Sequence, residues 1–466
     1  MSKWRMIITF TVCLLGSPML WAKSSLFSNA TVLDVDTGQQ HGKQYILVEG
    51  QHIAYIGSDK PKRNQDTQVI DLEHRFVIPG LIDSHAHMSL GAVSATVRDK
   101  QVHLSAYNGA DIAAVNADSM LRWGITTIRN PGGDSQANVN YKQSQAQGQV
   151  KGPKAFVAGH LLNDLAFAGL VTVVDDELSI ANSIEQQSKL GVDYVKLYTG
   201  LTEHQLKSAV RHADSYDLQV IAHLEKVNWQ TGAQLGIDHI VHAMPLSAEL
   251  LTEPHKQSFD KSARPGSFRF FEWYELVDLK SAEVAQMINS LREHNVSVDP
   301  TLIVFYNAFF GDQDSVTKHP ALSEVHPSLL TNWQTFFTFN LGWTDADFKR
   351  AQAVWPKVLE FVKMLDQAGV TLTIGTDVGN PWTIPGISLH QEMALMVEAG
   401  ISEQTVLQMA TRNGAYVIDK NAKFGVLKTG YIADFIVLDK NPLLDIKHTQ
   451  SIHRVVQNGT TVHLQQ

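Results

Sequence analysis

The stretch Val77-Ile-Pro-Gly-Leu-Ile-Asp-Ser-His-Ala-His87 decides how this chain is read, because an apolar run closes on two histidines one residue apart. In an extended segment residues i and i+2 point to the same side. His85 and His87 therefore offer two imidazoles to one cation, a presentation that helical spacing would not give. Taken alone such a pair is more often made of ordinary polar residues at a strand end, so the rest of the chain has to decide.

Four more polar residues stand where buried strands of a repeated βα protein would end, each after an apolar run and before a helix-like segment. Lys196 follows Gly191-Val-Asp-Tyr-Val, His223 follows Leu218-Gln-Val-Ile-Ala, His242 follows Ile237-Asp-His-Ile-Val, and Asp377 follows Val370-Thr-Leu-Thr-Ile-Gly-Thr. The intervals from Lys196 to His223 and from His223 to His242 each suit one βα unit. In a barrel of parallel strands all C-terminal strand ends meet at one face, so these residues converge on a single site. The expected fold is α/β, a (β/α)8 TIM-like barrel.

His-x-His followed by Lys, His, His and Asp on successive strand ends resembles the binuclear branch of the amidohydrolase superfamily. The resemblance extends through Gly124-Ile-Thr-Thr-Ile-Arg129, Leu389-His-Gln-Glu-Met393, Ala410-Thr-Arg-Asn-Gly-Ala415 and Gly425 to Leu438. It is strongest to imidazolonepropionase-related, prolidase-like hydrolases. Two positions depart from that pattern: Asn130 stands where relatives carry Asp, and Val241 where they carry Glu before the sixth-strand His.

Neutral imidazoles and carboxylates suit Zn²⁺, with Mn²⁺ or Co²⁺ as borderline alternatives. A lysine ammonium cannot ligate a cation, which leaves Lys196 as a plain positive charge or as a lysine carboxylated by CO₂ that bridges two metals. The resemblance implies the second. It places one divalent ion on His85, His87 and Asp377 and another on His223 and His242, with Asp377 as the catalytic acid–base for amide hydrolysis. It implies a small substrate, a dipeptide or N-acyl amino acid.

Three other readings share much of this pattern. A mononuclear deaminase or cyclic-amide hydrolase would carry Glu or Gln three residues after His223, where this chain has Lys226. A phosphotriester or lactone hydrolase would use the same two-metal site. A non-catalytic periplasmic metal-binding protein is the reading without turnover.

Two further residues fall on the expected site face. Tyr198, two residues beyond Lys196, either approaches the substrate carbonyl or packs inside the barrel, and His160 either contacts substrate or is a solvated loop residue. Of the 20 histidines, His239 is expected to face away from His242 across the sheet, and His390 to be structural on an amphipathic helix. Between an expected seventh strand over 298–304 and Asp377, the span Phe305 to Trp355 holds eleven of the chain's 39 aromatics, which read either as core or as a lid over apolar substrate groups.

At 466 residues, 44% hydrophobic and 18% charged, the chain suits a barrel with an appended module. Strand-like pieces flank the barrel at Thr31-Val-Leu-Asp-Val, Tyr45-Ile-Leu-Val, Asp434 to Asp439 and Arg454 to Val462, the last with an Asn-Gly hairpin signal. The resemblance implies that they join in one small β-sandwich. The expected division is 1–22 signal peptide, 23–78 and 421–466 sandwich, and 79–420 barrel. Lys3 and Arg5 precede a short apolar core with a small-residue exit at Ala22, a secretory leader too short to span a bilayer comfortably. Removing it would take two basic residues and no acid, moving the net charge from -9 to -11, a poor match for nucleic acid. Cys13, the single cysteine, lies inside that leader, and a cysteine-free mature chain fits a periplasmic or secreted enzyme. Oligomeric state is not legible.

Overall fold

The computed structural model describes residues 24–462; the expected leader lies outside the described residues. An eight-stranded mixed sheet takes strands from both ends of this span. Ser24–Leu33 pairs antiparallel with Gln40–Glu49 and parallel with Phe76–Pro79, and Phe76–Pro79 in turn pairs antiparallel with Phe435–Leu438. Alternation explains the pairing: Phe27, Ile46, Val48, Val77 and Phe435 turn inward into an apolar cluster separate from the main core. Phe27 and Phe435 meet edge to face with ring centroids 5.1 Å apart, so a strand from each end of the chain shares one core. The expected Asn-Gly hairpin is present. Asn458 and Gly459 both adopt positive φ, which a two-residue turn between Ile452–Gln457 and Thr460–Val462 requires.

The remaining frame is α/β, with parallel strands separated by helices. Leu81–Asp83, Ile125–Asn130 and Lys154–Val157 form one ladder. Tyr194–Leu197, Gln219–Ala222, His239–Val241 and Ser297–Asp299 form another. Single bridges join the pieces: Ala158 to Tyr194, Val298 to Leu372, and Val378 to Ala86 on the chain just past the first strand. Helix starts between them are well specified. Asp176 and Thr202, for example, each form a capping box with the residue three positions on.

Three expectations need correction. The seventh strand stops at Asp299 and does not run to Val304, because Pro300 lacks an N–H and Thr301 sits at φ 46. Leu302–Phe309 is instead a helix whose first amides donate to the buried carboxylate of Glu392, Leu302 at 2.9 Å and Ile303 at 2.6 Å. The segment before Asp377 touches its neighbours through isolated bridges, without a continuous strand. His239 does not turn away from the Lys196 face. It is in register with Ile221, which is in register with Lys196, so all three share one side of the sheet. His242 reaches the site because its own φ of 72° breaks the alternation just past the strand.

Candidate metal centre

Six strand-end residues surround one cavity of about 250 Å³: His85, His87, Lys196, His223, His242 and Asp377. His85, His242 and Asp377 offer ligand atoms within 4.8 Å of one another. His87 Nε2 and His85 Nε2 lie 3.1 and 3.3 Å from Asp377 Oδ1, and the His223 and His242 rings are 4.4 Å apart. All six are nearly sealed from solvent. Tyr198 lines the same cavity, with its ring edge-on to His223 at 5.1 Å. His160 does not line it; its Nε2 lies 3.5 Å from Asp134 at the periphery.

Three of the four imidazoles are held from behind. His85 Nδ1 is 3.1 Å from Asp299 Oδ2, His87 Nδ1 donates to the Gly132 carbonyl at 2.7 Å, and His242 Nδ1 is 2.7 Å from Thr301 Oγ1. Each contact orients its ring and leaves Nε2 for a ligand, the arrangement typical of metal-bound histidine. Asn130 supports His87 at one remove. Its Oδ1 accepts from the Gly132 amide at 3.1 Å, while its Nδ2 donates to Asn138 at 3.0 Å, which an aspartate could not do.

The electrostatics suit a cation. Burial would raise the Asp377 carboxyl, yet the histidines around it, led by His85, hold it well below the ordinary carboxylate range. For His85, burial works downward, but Asp377 and Asp299 outweigh it and raise the ring's pKa. Burial brings the Lys196 amine down to about 7. Lys196 Nζ, both ring nitrogens of His223 and Asp377 Oδ1 are buried without a hydrogen-bond partner among the described residues. Buried polar groups left unpaired cost roughly 1–3 kcal/mol each, so one site with four such atoms has the character of a ligand shell. The donor set fits divalent metal of the zinc type.

Several contributors were not legible as such. Asp299 ends a strand as several of the proposed ligands do, but Val-Asp-Pro-Thr reads in the sequence as a strand's interior. Asp83 accepts from Thr376 Oγ1 at 2.7 Å and from the His85 amide at 3.0 Å. Arg129 is buried with its Nε donating to the Ser84 carbonyl at 2.8 Å, and its guanidinium lies 3.9 Å from Asp299. The aromatic connection divides: Phe309 and Trp355 pack in the core, while Phe305, Phe337 and Phe339 line the cavity.

Comparison with known proteins gives the family. Imidazolonepropionase of Photorhabdus laumondii is 22% identical over 421 residues, covering 87% of this chain and 86% of that enzyme. Ochratoxinase of Aspergillus niger is 33% identical over 108 residues, a local match covering 23% of this chain and 22% of that enzyme. Another local match, 44% identical over 62 residues, spans only 10% of a curated relative from Oceanobacillus iheyensis. The crystal structure of a Xaa-Pro dipeptidase with bound methionine superimposes with a TM-score of 0.67 at 20% identity, over 94% of this chain and all of that one. The model of the amidohydrolase family matches residues 76–462, and the chain belongs to that family.

Proposed function

We propose that the protein is an exported, two-metal amidohydrolase that cleaves the amide bond of a small substrate, a dipeptide or N-acyl amino acid. The observation that carries this reading is the group of unpaired buried atoms on Lys196, His223 and Asp377, facing one another across a cavity among oriented histidines. His85, His87 and Asp377 would hold one ion and His223 and His242 the other, with Lys196 carboxylated between them. An amine brought to about 7 is substantially unprotonated at neutral pH, the form that adds CO₂. The circuit of parallel pairings, from Leu81–Asp83 through each strand to the Val378–Ala86 bridge, supports a closed (β/α)8 barrel over 79–420. The separate apolar cluster of the terminal sheet supports a second β module over 23–78 and 421–466.

Cations held by these residues would supply an activated water at neutral pH and polarise the scissile carbonyl. The chain's own groups do the rest. Asp377 accepts the proton of the attacking water and returns it to the leaving nitrogen, so one carboxylate serves as base and then as acid. Asp299, Gly132 and Thr301 keep the imidazoles from turning while charge develops. The aromatic wall keeps bulk water from the reacting carbonyl.

The test is elemental analysis of the purified protein with a hydrolysis screen of Xaa-Pro, Xaa-Arg and N-acyl aromatic amino acids. Two ions per chain and release of free amino acid are expected. Full activity with a single tightly held metal would sink the two-metal reading.

A further inference from the structure

The cavity's charge is lopsided in a way that bears on its substrate. Apart from the candidate ligands, Glu225 and the neutral amide of Asn380, its walls are aliphatic or aromatic, with Phe167, Phe270, Phe305, Phe337 and Phe339 among them. One charged side chain remains, Glu225, with Oε1 3.5 Å from His223 Nε2. Among the described residues no arginine lines this cavity, and no lysine besides Lys196.

Glu225 also borders an adjoining pocket that carries Asp164, Glu249 and Asp260. The two cations there line this adjoining pocket and not the cavity of the candidate ligands. Arg269 donates to Asp260 at 2.9 Å and lies over the Phe259 ring, and Lys226 donates to the Gly200 carbonyl at 3.0 Å. A substrate carboxylate beside Glu225 inside the first cavity would meet a like charge with no arginine or second lysine in that lining to offset it, a repulsive contact. An ammonium or guanidinium would meet a partly buried carboxylate, whose charge-assisted hydrogen bonds are the stronger kind.

We propose that Glu225 is a specificity residue and that the cavity takes amides joining an apolar or aromatic group to a cationic one, discriminating against those that present a free carboxylate at the same place. The inference rests on the hydrolase reading above and redirects its substrate class, away from N-acyl amino acids whose carboxylate would lie beside Glu225.

A matched series tests it: phenylacetyl amides of ethylenediamine, propylamine and β-alanine, which share one scissile bond and differ only in a terminal cation, methyl group or anion. With the zinc-loaded protein, kcat/KM should fall in that order, the cationic amide exceeding the neutral one by about 10-fold, the scale of one hydrogen bond to a charged group. In Glu225→Gln at unchanged zinc content the cationic-to-neutral ratio should drop toward one through KM, and Glu225→Asp should keep part of it. An anionic amide that matches or beats the cationic one, or a ratio untouched in Glu225→Gln, overturns the proposal. Loss of zinc in that variant does so too, by making Glu225 a ligand. If the zinc-loaded protein cleaves none of the three, the hydrolase reading fails separately. Calorimetric affinities of the same amides then decide this inference, with the same order and its loss in Glu225→Gln supporting it and equal affinities overturning it.

Discussion

The two sides of the candidate centre are held in opposite ways. Around His85 and His87 every imidazole has its Nδ1 tied to a fixed partner, and the partners are themselves fixed, Asp299 beside Arg129 and Gly132 by Asn130. On the other side only His242 is held this way, by Thr301, while neither ring nitrogen of His223 nor Lys196 Nζ has a hydrogen-bond partner among the described residues. The first side is organised by protein alone. The second is a set of donors whose only strong partner would be a cation and a group bound with it, so metal and structure should be coupled far more tightly there.

The largest expected effect tests that difference directly. Lys196→Ala should lose metal and fall to background activity together, because the remaining donors of its side do not close a shell alone. Added short-chain carboxylates should restore part of the activity, and normal metal content in the variant would break the comparison. Chelation of the unmodified protein should likewise abolish turnover.

On the organised side, Asp377→Asn keeps the shape but cannot accept a proton. Turnover should fall by at least about 10²-fold with a modest change in the Michaelis constant, provided metal content on the same sample is intact. Near-normal turnover with both metals would remove Asp377 from the proton transfer. Asp299→Asn should cost less, about 10- to 100-fold in metal affinity or activity, the range for losing a group that orients a ligand. An Asp299→Asn protein equal to the parent in both would mean that the ring is held by packing alone.

How much of this was legible follows from what each residue has to do. The six proposed ligands stand at the ends of apolar runs, a position the chain itself marks, so His85, His87, Lys196, His223, His242 and Asp377 could be picked out in advance. Asp299 occupies the same kind of position, but Pro300 and the left-handed Thr301 end that strand early, and a backbone turn of this sort has no periodic signature. Glu392 caps a helix about 90 residues away in the chain, a pairing only the fold creates. His239 was misjudged by counting alternation through His242, whose positive φ suspends the rule at the strand end. The terminal sheet was legible in its strands but not in their partners, since strand pairing between chain ends depends on burial that no local window contains.

The smallest expected effect concerns the edge of the site. His160 lies on the face where strand ends converge, which makes it a candidate for substrate contact, yet it does not line the cavity, and its Nε2 is buried 3.5 Å from Asp134 although both side chains are partly exposed. A histidine in that position contributes at most a weak, screened ion pair when protonated. Its backbone matters more than its ring: the His160 amide donates to Ser135 Oγ at 2.8 Å and its carbonyl accepts from Gln187 at 2.9 Å, and both contacts survive a change of side chain. His160→Gln should therefore change kcat/KM by less than about 2-fold and stability by less than about 0.5 kcal/mol, the range for surface substitutions that touch no special feature. Steady-state kinetics and a thermal melt on one preparation suffice. A loss of 10-fold or more in kcat/KM at unchanged stability would place His160 in contact with substrate and extend the site beyond the cavity that the six strand-end residues enclose.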